Sequence, residues 1–189
     1  MTATATERDP SHTTPGRIGP RARPSSLRGQ RTVEQILQTT VELGAEVGFE
    51  AINTNLIAAR AGVNIASVYK YFPNKQAIFV AISRRMGEAF QAQIADLIAQ
   101  IDAGRPWREA VAEGVRLAAR RRLDAPGERT IRMAIRVSPD LLGLDAEESA
   151  LVGSMLAGLI SRRSGAPPDR AALVGRVAIE LATAILDLL

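Results

Sequence analysis

Residues 53–75 constrain the fold more than any other part of this sequence, because helix caps and chain breakers alternate within one short stretch. Asn53 and Asn64 each stand where a side-chain oxygen can accept a hydrogen bond from the first turn of a helix. Gly62, between them, adopts a left-handed backbone at little cost, and Pro73 cannot continue a helix. The segment therefore predicts two short helices, about 53–61 and 64–72, joined by a tight turn.

Helical spacing of apolar residues extends through the rest of the chain. Upstream, Thr32-Val33-Glu34-Gln35 fits a capping box and predicts the start of a first helix that ends at Gly48. Downstream, a long helix over about 74–101 would span roughly 40 Å. Four further helices are predicted, over about 107–123, 128–137, 145–164 and 168–189. No segment has a convincing strand pattern, so the predicted fold class is all-α.

The predicted organisation has three parts. Residues 1–27 are rich in Thr, Pro, Gly and Arg without an apolar period, which is typical of a disordered basic arm. Residues 28–85 form an N-terminal domain of three helices, with a helix-turn-helix at about 53–72. The long helix joins this domain to a C-terminal helical domain over 86–189.

Composition excludes several functional classes. The chain has no Cys and a single His, His12, which lies in the arm. Thiolate metal sites, Cys nucleophiles and a Ser-His-Asp triad are therefore excluded, and we predict no catalytic residues, no metal and no cofactor. The N-terminus lacks the apolar stretch of a signal peptide, and no apolar run is long enough to span a membrane. The default expectation is a cytoplasmic protein without a membrane partner.

Positive charge is concentrated in the N-terminal half. Residues 1–90 contain 11 Lys and Arg against 7 Asp and Glu, whereas residues 91–189 contain 13 of each. A basic N-terminal half and a neutral C-terminal half suit a protein that binds nucleic acid. The arginines near the arm could reach a DNA minor groove or phosphates, or could simply solubilise the chain. They are Arg17, Arg21, Arg23 and Arg28.

The helix-turn-helix carries side chains suited to a DNA groove. Ala58 is small enough for two helices to cross closely, and Val63 and Val68 would fill the space between them. Short side chains let the second helix enter the major groove, where Ser67 could reach base edges. Tyr and Lys side chains can hold phosphate oxygens. The outward residues are Ile65, Ala66, Ser67, Tyr69 and Lys70; the alternative is a helical hairpin buried in the protein.

About a dozen residues over 30–85 resemble the tetracycline-repressor (TetR) family of bacterial regulators. They are Gly48-Phe49, Ile57-Ala58, Ala61-Gly62-Val63, Val68-Tyr69, Tyr71-Phe72 and Lys75. The resemblance implies a ligand-responsive repressor that binds a palindromic operator in double-stranded DNA as a homodimer. It further implies that Thr54, Asn55 and the outward face of the second helix contact DNA, and that Lys75 meets a phosphate. The sequence departs from the usual family pattern at two places. Ile65-Ala66 suits apolar contact with thymine methyl groups, and Leu56 is expected to pack against the arm.

In the C-terminal half, the resemblance implies an effector pocket and a helical dimer interface. The residues expected to line the pocket are Met86, Phe90, Trp107, Val111, Leu117 and Met133, although plain core packing is the alternative for each. The apolar stripe expected at the dimer interface comprises Val174, Val177, Leu181, Ile185 and Leu188. Arg132 and Arg136 lie four residues apart, either on a solvated face or pointing inward, where they would favour an anionic effector.

The last residues, Ile185-Leu-Asp-Leu-Leu189, contain no cap or breaker, and the resemblance implies one more helix after them in many family members. Either a chain truncated at its C-terminus or a short gene is expected. Two other functions are compatible with an all-α chain. One is a protein-interaction module of the same fold without DNA binding, and the other is a small all-α enzyme that uses carboxylates. Loss of DNA binding on changing Tyr69 or Lys75 would separate the regulator from both.

Overall fold

A computed structural model describes residues 20, 24–141, 143–186 and 188, and in these residues the regular structure is entirely helical. The all-α prediction is therefore confirmed. A single 3-10 turn, Pro139–Leu141, lies between the sixth and seventh α-helices. The α-helices are α1 Leu27–Ala51, α2 Thr54–Arg60, α3 Ile65–Tyr71, α4 Lys75–Asp102, α5 Trp107–Asp124, α6 Pro126–Val137, α7 Leu144–Ser164 and α8 Pro168–Leu186.

The start of α1 differs from the prediction. Ser26, not Thr32, is the N-cap, and its hydroxyl accepts a hydrogen bond from the Gly29 amide at 3.1 Å. Thr32 lies inside the helix and donates to the Arg28 carbonyl. The capping-box prediction was wrong because Ser26 provides the same type of cap earlier. Arg28 consequently lies in the first turn of α1, whereas Arg17, Arg21, Arg23 and His12 lie outside the described residues.

Local caps determine the short helices as predicted. The Asn53 side chain accepts from the Leu56 amide at 2.9 Å, and the Asn64 side chain accepts from the Ala66 amide at 2.8 Å. Asn74 caps the long helix α4 in the same way. Gly62 has a φ of 63°, and Gly48, where α1 is kinked, has a φ of 74°. These backbone angles favour glycine at both breaks.

The first four helices surround one apolar core. Ile36, Ile57, Val68 and Ile78 are fully buried in it. Leu56 is half-buried against this core. Its predicted packing partner, the N-terminal arm, lies mostly outside the described residues. Leu56 therefore contributes to packing within the N-terminal domain, whereas a polar side chain at this position would be left to solvent.

The same core continues into the C-terminal half. Ile131 and Ile135 of α6 are fully buried in the same cluster as Ile82 and Met86 of α4. The beginning of α6 lies directly on α1, since a Cβ atom added to Gly127 would overlap the Val41 carbonyl. The N-terminal domain is thus held by α6 as well as by the long helix.

The last two helices pack closely against each other. A Cβ added to Gly175 of α8 would overlap the Gly153 carbonyl of α7 and approach the Ala157 amide to 2.9 Å. A smaller apolar cluster of Leu97, Ile101 and Ala110 joins α4 to α5. At the turn before α5, a hydrogen bond and the positive charge of Arg105 lower the pKa of the Glu113 carboxyl. Among the described residues, no helix has the length and hydropathy needed to span a membrane.

Candidate nucleic-acid interface and ligand cavity

The turn between α2 and α3 sets the angle of α3 relative to α2. Ala58 of α2 is 4% exposed and Val68 of α3 is fully buried, so the two helices contact through a small residue and a branched one. The Val63 amide donates to the Ala58 carbonyl at 3.0 Å across the turn. This geometry leaves the other side of α3 outside the core, which excludes the buried-hairpin alternative for this segment.

The outer side of α3 presents the residues that the sequence predicts there. Ala66, Tyr69 and Lys70 are exposed, whereas Ile65 and Ser67 are half-buried. The Tyr69 hydroxyl shares a hydrogen bond of 3.0 Å with the Thr54 hydroxyl at the start of α2. Asn55, the next residue, is exposed. One surface therefore combines the start of α2 with the outer side of α3.

The two lysines near this surface have partners within the protein. The Lys70 ammonium lies 5.3 Å from the centre of the buried Tyr71 ring, within reach of a cation–π interaction. The Lys75 ammonium donates to the backbone carbonyls of Ile52 at 3.0 Å and Glu50 at 3.5 Å. Lys75 thus binds the end of α1, a role that the sequence did not predict. Because an ammonium has three N–H donors, a phosphate contact would use the third.

A cavity of about 930 Å³ lies in the C-terminal half, and helices α4 to α8 all contribute to its wall. Met86, Phe90, Trp107 and Val111 line it, as the sequence predicts. Leu117 and Met133 do not, and Met133 is 51% exposed. Helical periodicity explains the difference on α5, since the side facing the cavity carries Val111, Gly114, Val115 and Ala118.

Four polar side chains at one end of the cavity come from α4, α6 and α7. The buried Ser83 hydroxyl donates to the Glu148 carboxylate at 3.1 Å. Arg132 and Arg136 both line the cavity; Arg132 has the inward placement of the two that the sequence left open, whereas Arg136 is also exposed to solvent. Arg132 forms an ion pair with Glu128 at 3.8 Å, and its side chain is 20% exposed. The sequence did not predict Ser83 or Glu148, because neither belongs to a local motif.

Helix α8 contributes both to the cavity and to an exposed apolar stripe. Ala178, Ala182 and Thr183 line the cavity, as does Val174, which was predicted for the dimer interface. All five predicted residues are exposed: Val174, Val177, Leu181 and Ile185 on this stripe, and Leu188 beyond the end of α8. No group of three or more His, Asp or Glu side chains suited to a metal ion occurs in the part of the chain that the structure describes.

Two sequence families match this chain. Residues 36–82 match the family described as "Bacterial regulatory proteins, tetR family". Residues 106–189 match "Tetracyclin repressor-like, C-terminal domain". The first match includes the helix-turn-helix, and the second includes α5 to α8.

The solved structures and curated proteins that resemble this chain are also described as transcriptional regulators or repressors. A TetR-family transcriptional regulator from Streptomyces coelicolor is 30% identical, with a TM-score of 0.60 over 83% of each chain. NalD of Pseudomonas aeruginosa, the secondary repressor of the MexAB-OprM multidrug efflux pump, shares the fold at 18% identity. Its TM-score is 0.60, over 84% of this chain and 83% of NalD. The uncharacterized HTH-type transcriptional regulator Rv2912c of Mycobacterium tuberculosis is 29% identical over 80 residues, which span 40% of this chain and 41% of that relative.

Proposed function

Because the chain belongs to the TetR family of bacterial regulatory proteins, we propose that it is a ligand-responsive repressor that binds a palindromic operator as a homodimer in the cytoplasm. Residues 28–85 would bind DNA, and residues 86–189 would bind the effector and the second subunit. The observation that carries the proposal is the exposed outer side of α3, joined to α2 by the Thr54–Tyr69 hydrogen bond.

This surface suits a major groove in shape and chemistry. Ala66 and Ser67 have short side chains, so the α3 backbone can approach base edges closely. Ile65 offers an apolar contact to a thymine methyl group. Thr54, Asn55, Tyr69 and Lys70 offer hydroxyl, amide and ammonium donors to phosphates on both sides of the groove, and Lys75 offers a further ammonium.

The α8 stripe supports assembly as a homodimer. Val177, Leu181 and Ile185 are between 47% and 63% exposed in the single subunit, and large apolar surfaces of this kind commonly mark protein interfaces. Pairing about a twofold axis would place two copies of α3 roughly 34–36 Å apart, one turn of DNA. Such an arrangement requires the two half-sites of a palindrome.

The cavity supports regulation by a small molecule. Its volume of about 930 Å³ lies within the usual range of ligand pockets, and its lining is mostly apolar. An effector that binds better to one arrangement of the helices lowers the affinity for DNA by linkage. The shared core of α4 and α6 connects the cavity to the N-terminal domain.

The test is binding of the purified protein to labelled DNA from upstream of its own gene, followed by fluorescence anisotropy at several salt concentrations. We expect a specific site and a steep loss of affinity with salt. The variant Lys70→Ala should weaken binding to all sequences and reduce the salt slope by about one. Arg129→Ala, an exposed basic residue on α6, is the matched control and should bind as the unmodified protein does.

Two results would contradict the proposal. If no DNA is bound specifically and the Lys70 variant behaves as the Arg129 variant does, a protein-interaction module of the same fold becomes the better explanation. If turnover of a substrate in the cavity is detected instead, the chain is an all-α enzyme.

A further inference from the structure

The polar and apolar parts of the cavity are separated along α4. Ser83 and Gly87, near the beginning of α4, adjoin the Glu148 carboxylate, since a Cβ on Gly87 would lie 2.7 Å from the Glu148 Cδ atom. Arg132 and Arg136 belong to the same end, because α6 packs on this part of α4 through Ile131 and Ile135. Further along α4 the lining is apolar, with Ile94, Leu97, Ile98, Ile101 and, from α5, Trp107.

The cavity extends along most of α4. It follows α4 from Ser83 to Ile101, a distance of about 27 Å at the rise of an α-helix. A cavity of this length can accommodate an extended chain.

The charged side chains that line the cavity are predominantly positive: Arg132, Arg136 and Arg163 against Glu148. With Glu128, which pairs with Arg132, the polar end holds two positive and two negative side chains, and the excess positive charge of the whole cavity comes from Arg163. A guanidinium has five N–H donors, so an arginine can keep a carboxylate partner and still bind a second one. Arg136 and Arg163 are exposed, Arg163 at the end of α7, whereas Arg132 is largely buried beside the polar end of the cavity.

We propose that the cavity binds an amphipathic anion, a single extended apolar chain with one carboxylate-like group, and that Arg132 and Arg136 bind the acidic group. This inference rests on the proposed effector-binding function and adds the chemical class of the effector. Bidentate contact between a guanidinium and a carboxylate gives the polar end its preference for an anion. The apolar wall from Ile94 to Trp107 binds the chain.

The experiment uses three probes with the same alkyl chain: dodecanoate, dodecanol and dodecyltrimethylammonium, each below its micelle-forming concentration. Trp107 is the single Trp of the chain and lines the cavity, so its fluorescence reports binding in the absence of DNA. We expect dodecanoate to bind about tenfold more tightly than dodecanol, as a charge-assisted hydrogen bond allows, and dodecyltrimethylammonium to bind least tightly.

Variants on α6 and α7 locate the acidic group. Arg136→Met should remove most of the preference for dodecanoate over dodecanol and leave the affinity for dodecanol unchanged, whereas Arg136→Lys should retain part of it. Arg129→Met, on the same helix and outside the cavity, should keep the full preference. Glu148→Gln should keep or increase the preference, because the amide oxygen can still accept from Ser83 while the negative charge is removed.

Each remaining outcome overturns the inference. Equal affinity for the three probes, or tighter binding of the cation, refutes the anionic class and leaves effector binding itself intact. A preference that persists in Arg136→Met but disappears in Arg163→Met places the acidic group at the other end of the cavity. Failure of all three probes to bind refutes the ligand class, while specific DNA binding by the same protein would show that the proposed regulator function stands.

Discussion

At the scale of single residues, the hydrogen bond between Tyr69 and Thr54 holds two proposed DNA-binding side chains in a fixed arrangement. Its length of 3.0 Å is ordinary, and both residues are accessible to solvent. The bond joins the start of α2 to the middle of α3, so it orients the Tyr69 ring before DNA is present. Such preorganisation lowers the cost of ordering side chains on binding.

Replacing Tyr69 with Phe should therefore weaken operator binding by roughly tenfold, since the hydroxyl is lost both as a phosphate donor and as a partner of Thr54. Stability should change little, because the side chain is 43% exposed. Fluorescence anisotropy and thermal unfolding measure the two effects. An affinity equal to that of the unmodified protein would show that the hydroxyl does not contact DNA.

Lys75 has two roles that one variant can separate. Its ammonium binds the Ile52 and Glu50 carbonyls, and we also propose that it contacts a phosphate. The variant Lys75→Met should lower the free energy of unfolding by about 0.5–1.5 kcal/mol, because the carbonyls lose a donor. If the phosphate contact exists, the salt slope of DNA binding should also decrease by about one. A lower stability with an unchanged slope would leave only the structural role.

At the scale of helices, the contact between α1 and α6 connects the DNA-binding part to the cavity. Gly127 at the start of α6 lies against the backbone of α1 at Val41, and Gly44 of α1 lies against the Gly127 carbonyl. Further along the same helix, Arg132 and Arg136 line the cavity. A rigid helix with one end on α1 and one face on the cavity is well placed to transmit a displacement between them.

The variant Gly127→Ala tests this contact. The added methyl group would overlap the Val41 carbonyl, so α6 must shift, and overpacking of this kind costs about 1–3 kcal/mol. For a chain of this size, the melting temperature should fall by about 2–4 °C for each kcal/mol. Gly143→Ala is the control, because a Cβ there meets no atom within 4 Å and its φ is −82°. Equal melting temperatures for the two variants would show that the contact is easily rearranged.

At the scale of the whole molecule, α8 contributes both to the cavity and to the proposed dimer interface. Ala178 and Ala182 line the cavity, Leu181 and Ile185 are about 60% exposed, and Val174 belongs to both sets. A ligand that displaces α8 would therefore also displace the surface that pairs with the second subunit. This arrangement provides a physical connection between effector binding and the separation of the two α3 helices.

The variant Leu181→Asp should convert the dimer into monomers, since it places a charge in the centre of the apolar stripe. Sedimentation velocity measures the change, and operator affinity should fall because one subunit reaches only one half-site. Val137→Asp, at a residue 63% exposed on α6, is the matched control and should stay dimeric. A Leu181 variant that sediments as a dimer would place the interface elsewhere.

The sequence by itself determined the helices and their breaks. Asn53, Asn64 and Gly62 act through hydrogen bonds and backbone angles within four residues, so local sequence is sufficient to identify them. The same locality explains the wrong start of α1, where two capping patterns compete and Ser26 is used. The division into domains at residues 85 and 86 stays a prediction.

Only the tertiary structure decided how the helices are rotated about their axes and which distant residues meet. Arg132 and Arg136 line the cavity while Met133 does not, because Ile131 and Ile135 are buried against helices far away in the sequence. Ser83 meets Glu148, and Lys75 meets the end of α1, for the same reason. Such contacts depend on packing between elements, and no local pattern encodes them.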